Sequence, residues 1–258
     1  MNKLNDTRLD IRVAVSRLIL TLLCLAVGSG TEVSGMGTEA LSPVGLANPT
    51  TAAEAHAATS GSVFEAAAWT DVDLGSVERD VFELALQAAA AAVERGDVPA
   101  PSTLTVIDFS RPSPDDRMWV YDLRSRKLLF QEVVSHGRGS GVARATAFSN
   151  TAESNQSSLG LYRTAETYVG KHGYSLRLDG LEKGFNDKAR ARAIVMHAAD
   201  YVNAATAKAN GYLGRSLGCP AIRPAISREL IDTVKGGGLL FAYYPDAAWL
   251  AGSAYLNR

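Results

Sequence analysis

The amino-acid sequence predicts an α+β domain in which β-strands dominate and helices flank the sheet. Two observations lead to this prediction. From residue 101 onward, short segments rich in apolar and β-branched residues alternate with clusters of turn-forming residues. One alanine-rich segment with helical spacing precedes them. The chain shows no internal repeat, so we expect the strands to build one core.

The composition is that of an ordinary globular protein: 47% of the 258 residues are hydrophobic and 21% are charged. The formal net charge of -1 removes the usual electrostatic case for binding nucleic acid. Two cysteines, Cys24 and Cys219, are too few for a disulfide framework or a thiolate zinc site. His136, His172 and His197 lack the ligand spacing of a metal site, so we expect no metal and no other cofactor.

The N-terminus has the pattern of a secretory signal. Basic residues up to Arg17 precede an uncharged apolar run over 18–27, and small residues follow it. The run is too short to cross a bilayer, which needs about 20 apolar residues. We therefore expect a signal peptide over 1–30, export to the periplasm or cell wall space, and no stable membrane insertion after cleavage. Cleavage would remove Cys24 and leave Cys219 as the one cysteine.

The rest of the chain divides into four expected segments. Residues 31–75 are rich in small and hydroxyl residues and predict a flexible lead or linker. Residues 76–100 predict an N-terminal helix that packs on the domain, with Ser76 as its N-cap. The main domain is expected over 101–246, and residues 247–258 are expected to form a C-terminal tail.

The strands of the main domain are predicted from short apolar or alternating segments. The first three are separated by brief turns and predict an antiparallel meander. The predicted strands cover residues 103–108, 118–123, 128–134, 159–164, 174–178, 193–197 and 239–244. Helical spacing predicts further helices over 187–192, 198–209 and 225–235.

A possible nucleophile lies in the stretch 214–221, where Cys219 stands between Gly218 and Pro220. Glycine lets the backbone approach a ligand closely, and proline prevents a helix from continuing. Such a turn can expose a nucleophile and direct neighbouring backbone N–H groups at one point, as an oxyanion hole requires. The alternative is a cysteine that is simply buried as a small apolar side chain.

A free thiol needs a partner that removes its proton, because its ordinary pKa is about 8.5. His197 is the best candidate, since it ends the apolar run 193–196 and precedes Cys219 by a stretch long enough for a helix and a return turn. His56 lies in the predicted linker and is set aside. The alternative for His197 is a histidine of the core whose ring is hydrogen-bonded there. Asp200 or a backbone carbonyl could orient its ring.

These residues resemble a known family. The segment 194–197, followed by 215–221, is similar to the L,D-transpeptidase (YkuD-type) family, and most similar to its murein L,D-transpeptidase catalytic domain branch. The family pattern is a histidine, a spacer, and then Ser-x-Gly-Cys. Further similar segments bring the resemblance to about 104–245; they are 135–141, 148–150, 156–160 and 170–182. The resemblance implies a β-dominated sandwich with flanking helices.

The resemblance also implies a chemistry. Cys219 would be the nucleophile, His197 the base, and backbone N–H groups around Gly218 and Cys219 would hold the oxyanion. Peptidoglycan stem peptides would be both donor and acceptor of an acyl group, and the enzyme would be a monomer. Two alternatives stay open: an L,D-carboxypeptidase or amidase on the same scaffold, and a domain that binds peptidoglycan without turnover.

Four further residues are candidates for contacts with substrate. Ser216 would either hydrogen-bond within the site or cap the turn, and His136 would either line the site or fix a loop. The better-known branch of the family has an arginine two residues after the cysteine, whereas here the first one is Arg223. Arg215 and Arg223 therefore both compete for that role.

Overall fold

A computed structural model describes residues 63–257 of the chain. The predicted signal peptide, the predicted linker up to residue 62, Cys24 and His56 lie outside the described residues.

The strands form one mixed sheet of eight, in the order β3-β2-β1-β8-β4-β5-β6-β7. Neighbouring strands are antiparallel except for the pairs β1–β8 and β6–β7, which are parallel. In chain order the strands are β1 Thr103–Asp108, β2 Met118–Asp122, β3 Lys127–Glu132, β4 Gly160–Gly170, β5 Gly173–Gly180, β6 Val195–Ala198, β7 Ala221–Ile222 and β8 Leu239–Tyr243.

Four α-helices of the described residues accompany the sheet: α1 Arg79–Glu94, α2 Ala204–Asn210, α3 Pro224–Val234 and α4 Ala247–Gly252. The alanine-rich face of α1 is buried and packs against β1 and β8, where small side chains allow close approach. Its N-cap is Glu78 rather than the predicted Ser76. Within residues 63–257 the structure contains no helix that is long and apolar enough to span a bilayer.

The prediction of a mixed fold dominated by strands is confirmed, since every predicted strand segment overlaps an observed strand. The sequence did not predict β7, because two residues carry no periodic pattern. The predicted helix over 187–192 is wrong, because this segment forms successive turns. Hydrogen bonds join all eight strands into one sheet, and the sandwich implied by the resemblance stays a prediction.

Residues 63–75 pack on the domain, so the prediction of a flexible segment up to residue 75 is wrong for this part. Trp69 is fully buried, and its ring nitrogen donates a hydrogen bond to the Val63 carbonyl at 2.7 Å. Its ring meets Phe82 of α1 edge to face, with ring centres 5.0 Å apart. The single aromatic side chain of Trp69 decides whether this segment packs on the domain, because it buries far more apolar surface than the small residues around it.

The segment predicted as a C-terminal tail contains α4 and packs on the domain. Trp249 of α4 is buried, and its ring nitrogen donates a hydrogen bond to the carboxylate of Glu182 at 3.1 Å. The same carboxylate accepts the backbone N–H of Leu161, at the start of β4, at 2.7 Å. The buried Glu182 side chain thus joins the C-terminal helix to the sheet.

Trp69 tests the role of the residues before α1. We expect Trp69→Ala to lower the free energy of unfolding by about 3–5 kcal/mol, because it removes a fully buried indole and leaves a cavity. Chemical denaturation measures this change. The control is Val169→Ala at a side chain that is 82% exposed, which should shift stability by less than about 0.5 kcal/mol. Equal small effects of both substitutions would contradict the packed arrangement.

Candidate active site

Cys219 lies on a tight turn that Ser216 holds in place. The Ser216 hydroxyl accepts the backbone N–H of Gly218 at 3.0 Å and donates to the Cys219 carbonyl at 2.7 Å. Of the two roles considered for Ser216, the structure therefore places it as the cap of the turn. The turn leads directly into β7, so the thiol is positioned by the edge of the sheet.

Gly218 gives the turn its shape. Its φ of +126° lies in a region that other residues rarely adopt. A Cβ at this position would lie 2.8 Å from the Gln156 carbonyl oxygen and 3.0 Å from the Ile194 side chain. Glycine is required here for both reasons, because the backbone conformation and the lack of space each exclude a side chain.

The Cys219 thiol rests against the chain that leads into β6. Its Sγ accepts the backbone N–H of Val195 at 3.4 Å and lies 3.7 Å from the Ala193 carbonyl oxygen, to which the S–H can donate. Ala193 has a φ of +54°, an uncommon conformation for alanine. This local strain turns the Ala193 carbonyl toward the thiol, and such strain is often found at functional sites.

His197 lies near the end of β6 with its ring buried. It is paired in register with Ala221 of β7, two residues after Cys219. The Nδ1 atom is 2.8 Å from the Ala198 carbonyl oxygen, and since a carbonyl only accepts, Nδ1 carries the proton. Nε2 is then the nitrogen that can take a proton. A backbone carbonyl, and not the exposed Asp200, orients the ring.

The thiol and the imidazole both favour their neutral forms in this structure. Burial raises the pKa of the Cys219 thiol, while the Val195 N–H and the charge of Arg192 oppose this rise. Burial also lowers the pKa of His197, and the neighbouring His172 lowers it further. Among the described residues, the thiol's hydrogen-bond partners are Val195 and Ala193, and His197 is not one of them. The geometry therefore fits a base that acts when substrate arrives, rather than a preformed ion pair.

The thiol is accordingly expected to react slowly below neutral pH. We expect the alkylation rate of Cys219 by iodoacetamide to rise with pH and to reach half its maximum above about 8.5, the ordinary value of a free thiol. The raised pKa of the Cys219 thiol reduces the fraction of thiolate, and the lowered pKa of His197 reduces the fraction of imidazolium. Both shifts therefore slow alkylation below neutral pH. Peptide mass spectrometry separates Cys219 from Cys24. A rate plateau between pH 5 and pH 7 would instead indicate a preformed thiolate–imidazolium pair.

His136 is buried beside the cysteine turn, where its ring contacts other groups of the protein. Its side chain is fully buried, with Nδ1 2.8 Å from the guanidinium of Arg117 and Nε2 3.4 Å from the Gly141 carbonyl oxygen. Burial, followed by the charge of Arg117, lowers the pKa of His136 to about 4, so the ring is neutral. Its backbone carbonyl accepts the N–H of Ser216 at 3.0 Å, which aligns the loop with the cysteine turn.

The two candidate arginines have different surroundings. Arg223 is held by both carboxylate oxygens of Glu132, at 2.6 and 2.8 Å, so its charge is already neutralised. Arg215 donates to the Gly141 carbonyl at 2.9 Å and has no carboxylate partner among the described residues. Of the two, Arg215 is the one whose charge remains available at the edge of the site.

The sequence predicted no role in the site for three residues that the structure places there. The Ser157 hydroxyl accepts the N–H of Gly137 and donates to the Gly218 carbonyl, which joins the loop to the cysteine turn. The exposed ring of His172, in the β4–β5 turn, stacks on His197 with ring centres 4.3 Å apart. Arg192 packs against Gly218. Ser157 and His172 lie in segments that carried the family resemblance, but their residue types alone indicated no role.

The backbone N–H groups of Gly218 and Cys219 differ in their hydrogen bonding. The N–H of Gly218 already donates to the Ser216 hydroxyl, so it is not free to bind an oxyanion. The N–H of Cys219 donates to no acceptor within residues 63–257. Of the two predicted N–H groups, that of Cys219 is therefore the one without an acceptor in this part of the chain, and the role of Gly218 in the reaction stays a prediction.

Replacing Gly218 tests this requirement. We expect Gly218→Ala to slow acylation or alkylation of Cys219 by roughly tenfold or more, because backbone strain of about 1–3 kcal/mol and a clash with the Gln156 carbonyl displace the turn. The matched control is Gly184→Ala, which has a φ of +87° but open space around a Cβ. Intact-protein mass spectrometry follows both reactions. Equal rates for the two variants would show that space at residue 218 is unimportant.

The geometry defines a cysteine–histidine site at one edge of a mixed sheet. A family model described as the L,D-transpeptidase catalytic domain matches residues 74–243. The chain belongs to this family, whose activity is the cross-linking of peptidoglycan. Within residues 63–257, no group of three or more histidine, cysteine, aspartate or glutamate side chains could hold a metal ion.

The chain also matches solved structures of L,D-transpeptidases at low sequence identity and low TM-score. One from Mycobacterium smegmatis has 14% identity and a TM-score of 0.35, and the match covers 55% of this chain and 59% of that one. One from Mycobacterium tuberculosis H37Rv has 13% identity and a TM-score of 0.36, covering 56% and 59%. One from Stackebrandtia nassauensis has 13% identity and a TM-score of 0.33, covering 69% and 75%. No curated protein sequence matches the chain.

Proposed function

We propose that this protein is an exported cysteine L,D-transpeptidase that cross-links peptidoglycan stem peptides through a thioester on Cys219. The observation that supports it best is the placement of Cys219 and His197. A glycine-dependent turn carries the cysteine directly into β7, and β7 pairs with the strand that carries the histidine. Such a pair provides a nucleophile and a base for acyl transfer.

In the first half-reaction, His197 Nε2 accepts the thiol proton, and the thiolate attacks the carbonyl carbon between an L-centre and a D-centre of the donor stem. The Cys219 N–H would bind the oxyanion of the tetrahedral intermediate. The intermediate then collapses, and the C–N bond breaks. The leaving amine of the terminal D-amino acid takes the proton from His197, and a thioester remains on Cys219.

In the second half-reaction, an amine of a neighbouring stem attacks the thioester carbonyl and passes its proton to His197. Collapse of this intermediate breaks the C–S bond and expels the thiolate, which recovers the proton from the imidazolium. A new amide joins the two stems. The Ala198 carbonyl would stabilise His197 in both steps, because it accepts the Nδ1–H of the neutral and of the protonated ring.

The residues around the turn have distinct proposed roles. Ser216 and His136 position the nucleophile through backbone contacts. Arg215 is the proposed contact for a carboxylate of the stem peptide, since no described acidic residue neutralises it. Arg223 would serve the fold through Glu132 instead.

Export remains part of the proposal. The basic lead and short apolar run of residues 1–30 support a cleaved secretory signal. The proposed substrate lies outside the cytoplasmic membrane, so a periplasmic or cell-wall location is the one in which enzyme and stem peptides would meet.

Substitution of the two central residues tests the reaction. We expect Cys219→Ala to abolish formation of cross-linked dimers from tetrapeptide muropeptides, and His197→Gln to reduce it by at least about 100-fold, the lower range for a lost general base. Mass spectrometry of the products measures both. The variant His172→Gln removes the ring that stacks on His197, so it measures how much of the loss comes from that neighbour and not from the base itself.

The products and the acyl-enzyme separate the alternatives. Cross-linking that persists in Cys219→Ala would overturn the proposed nucleophile. Release of the terminal residue with water as the acceptor, even at high muropeptide concentration, would indicate an L,D-carboxypeptidase. A thiol that no carbapenem or muropeptide acylates would indicate a domain that binds peptidoglycan without turnover.

A further inference from the structure

Arg192 is a half-buried cation without an acidic partner among the described residues. Its guanidinium makes four hydrogen bonds, all to neutral groups. One terminal nitrogen donates to the Ser149 carbonyl and the Ser158 hydroxyl, and the other donates to the Ser154 hydroxyl and the Gln156 carbonyl. The charge of Arg192 is therefore solvated by the loop 149–158 but is not neutralised there.

The same guanidinium lies against the turn that carries the nucleophile. A Cβ built on Gly218 would be 3.4 Å from Arg192 Nη2, so the charged group packs on the bare face of the residue before Cys219. Arg192 also begins the segment whose Ala193 carbonyl and Val195 N–H contact the thiol. The guanidinium thus lies against the residue before Cys219, and the Arg192 backbone directly precedes a residue that contacts the thiol.

We propose that Arg192 is a positioning residue that favours the thiolate of Cys219 through its unneutralised charge, while its hydrogen bonds hold the loop 149–158 against Gly218. The inference rests on the proposed function, in which Cys219 is the nucleophile. It assigns a role in forming the thiolate to a residue outside the cysteine–histidine pair.

The electrostatics of the site give this role a reason. Burial opposes the thiolate, and Arg192 is the charged side chain that lowers the pKa of the Cys219 thiol. An opposite charge close to an ionisable group typically shifts its pKa by about 1–3 units. Burial lowers the pKa of Arg192 itself, but a guanidinium keeps its proton at neutral pH. Formation of the thiolate would supply the counter-charge that Arg192 lacks.

A direct role in holding a substrate carboxylate fits the geometry less well. All four N–H groups on the two terminal nitrogens of Arg192 already have acceptors in the loop 149–158. A bidentate contact with a carboxylate needs two such groups side by side. Arg215, at the edge of the site, has more freedom for that contact.

The test measures the charge state of the thiol without any peptidoglycan. In the full-length chain, Cys219 is alkylated by iodoacetamide across a range of pH, and the rate at Cys219 is read by peptide mass spectrometry. For Arg192→Gln we expect the midpoint to rise by about one pH unit, with roughly tenfold slower alkylation near neutral pH. For Arg192→Lys, which keeps the charge, we expect a midpoint within about half a unit of the wild type.

The matched control is Arg190→Gln, two residues away. Arg190 is an exposed arginine whose charge is already paired with Glu166 and Asp179, so its loss should leave the midpoint unchanged. Wild-type midpoints in both Arg192 variants, or equal upward shifts in both, would overturn the charge-based role. If Arg192→Gln does not fold, Arg192→Lys decides alone, because a shift of one unit or more despite the retained charge refutes the proposal.

Failure of the proposed function gives a different result. If Cys219→Ala still forms cross-links while the Arg192 variants shift the alkylation midpoint as expected, the nucleophile is misassigned but the electrostatic effect stands. If Cys219→Ala is inactive and the midpoint does not move, the nucleophile stands and the role of Arg192 is rejected.

Discussion

The absence of a side chain at residue 218 is the constraint on which the site depends. The carbonyl of Gln156, the side chain of Ile194 and the guanidinium of Arg192 all converge on the space that a Cβ would occupy. Gln156 belongs to the loop 149–158, whereas Arg192 and Ile194 belong to the segment that leads into β6, and Arg192 also donates a hydrogen bond to the Gln156 carbonyl. Close packing around the Cα atom of Gly218 therefore aligns the loop 149–158, the segment that leads into β6 and the cysteine turn. Because protein interiors transmit small displacements, a shift at this point would move the thiol itself.

Burial determines both the shape of the site and its electrostatic state. The same packing that fixes Cys219 and His197 also removes water from them, and both groups then favour the uncharged form. At the Cys219 thiol, the N–H of Val195 and the positive charge of Arg192 oppose the effect of burial by lowering the pKa. The site thus combines a neutral resting pair with groups that stabilise the thiolate once substrate draws the proton away.

Much of the fold could be predicted because its strands carry strong local patterns, and β1 was predicted over the residues it occupies, Thr103–Asp108. The positions of Cys219 and His197 followed from their neighbours and from the family resemblance. Other contacts depend on residues far apart in sequence, such as Ser157 with Gly218, and no local pattern reveals them. Trp69 shows a different difficulty: one aromatic residue among small ones decides packing, although composition averaged over the segment indicates flexibility.

The protonated resting state of the thiol has a consequence for survival outside the cytoplasm. Peroxides attack the thiolate, and exposed thiolates progress to sulfenic and higher acids that end catalysis. A partly buried S–H directed at the Ala193 carbonyl presents little of that reactive form between turnovers. We propose that the enzyme works in an oxidising space. There, the burial that lowers the reactivity of the Cys219 thiol would also protect it from oxidation.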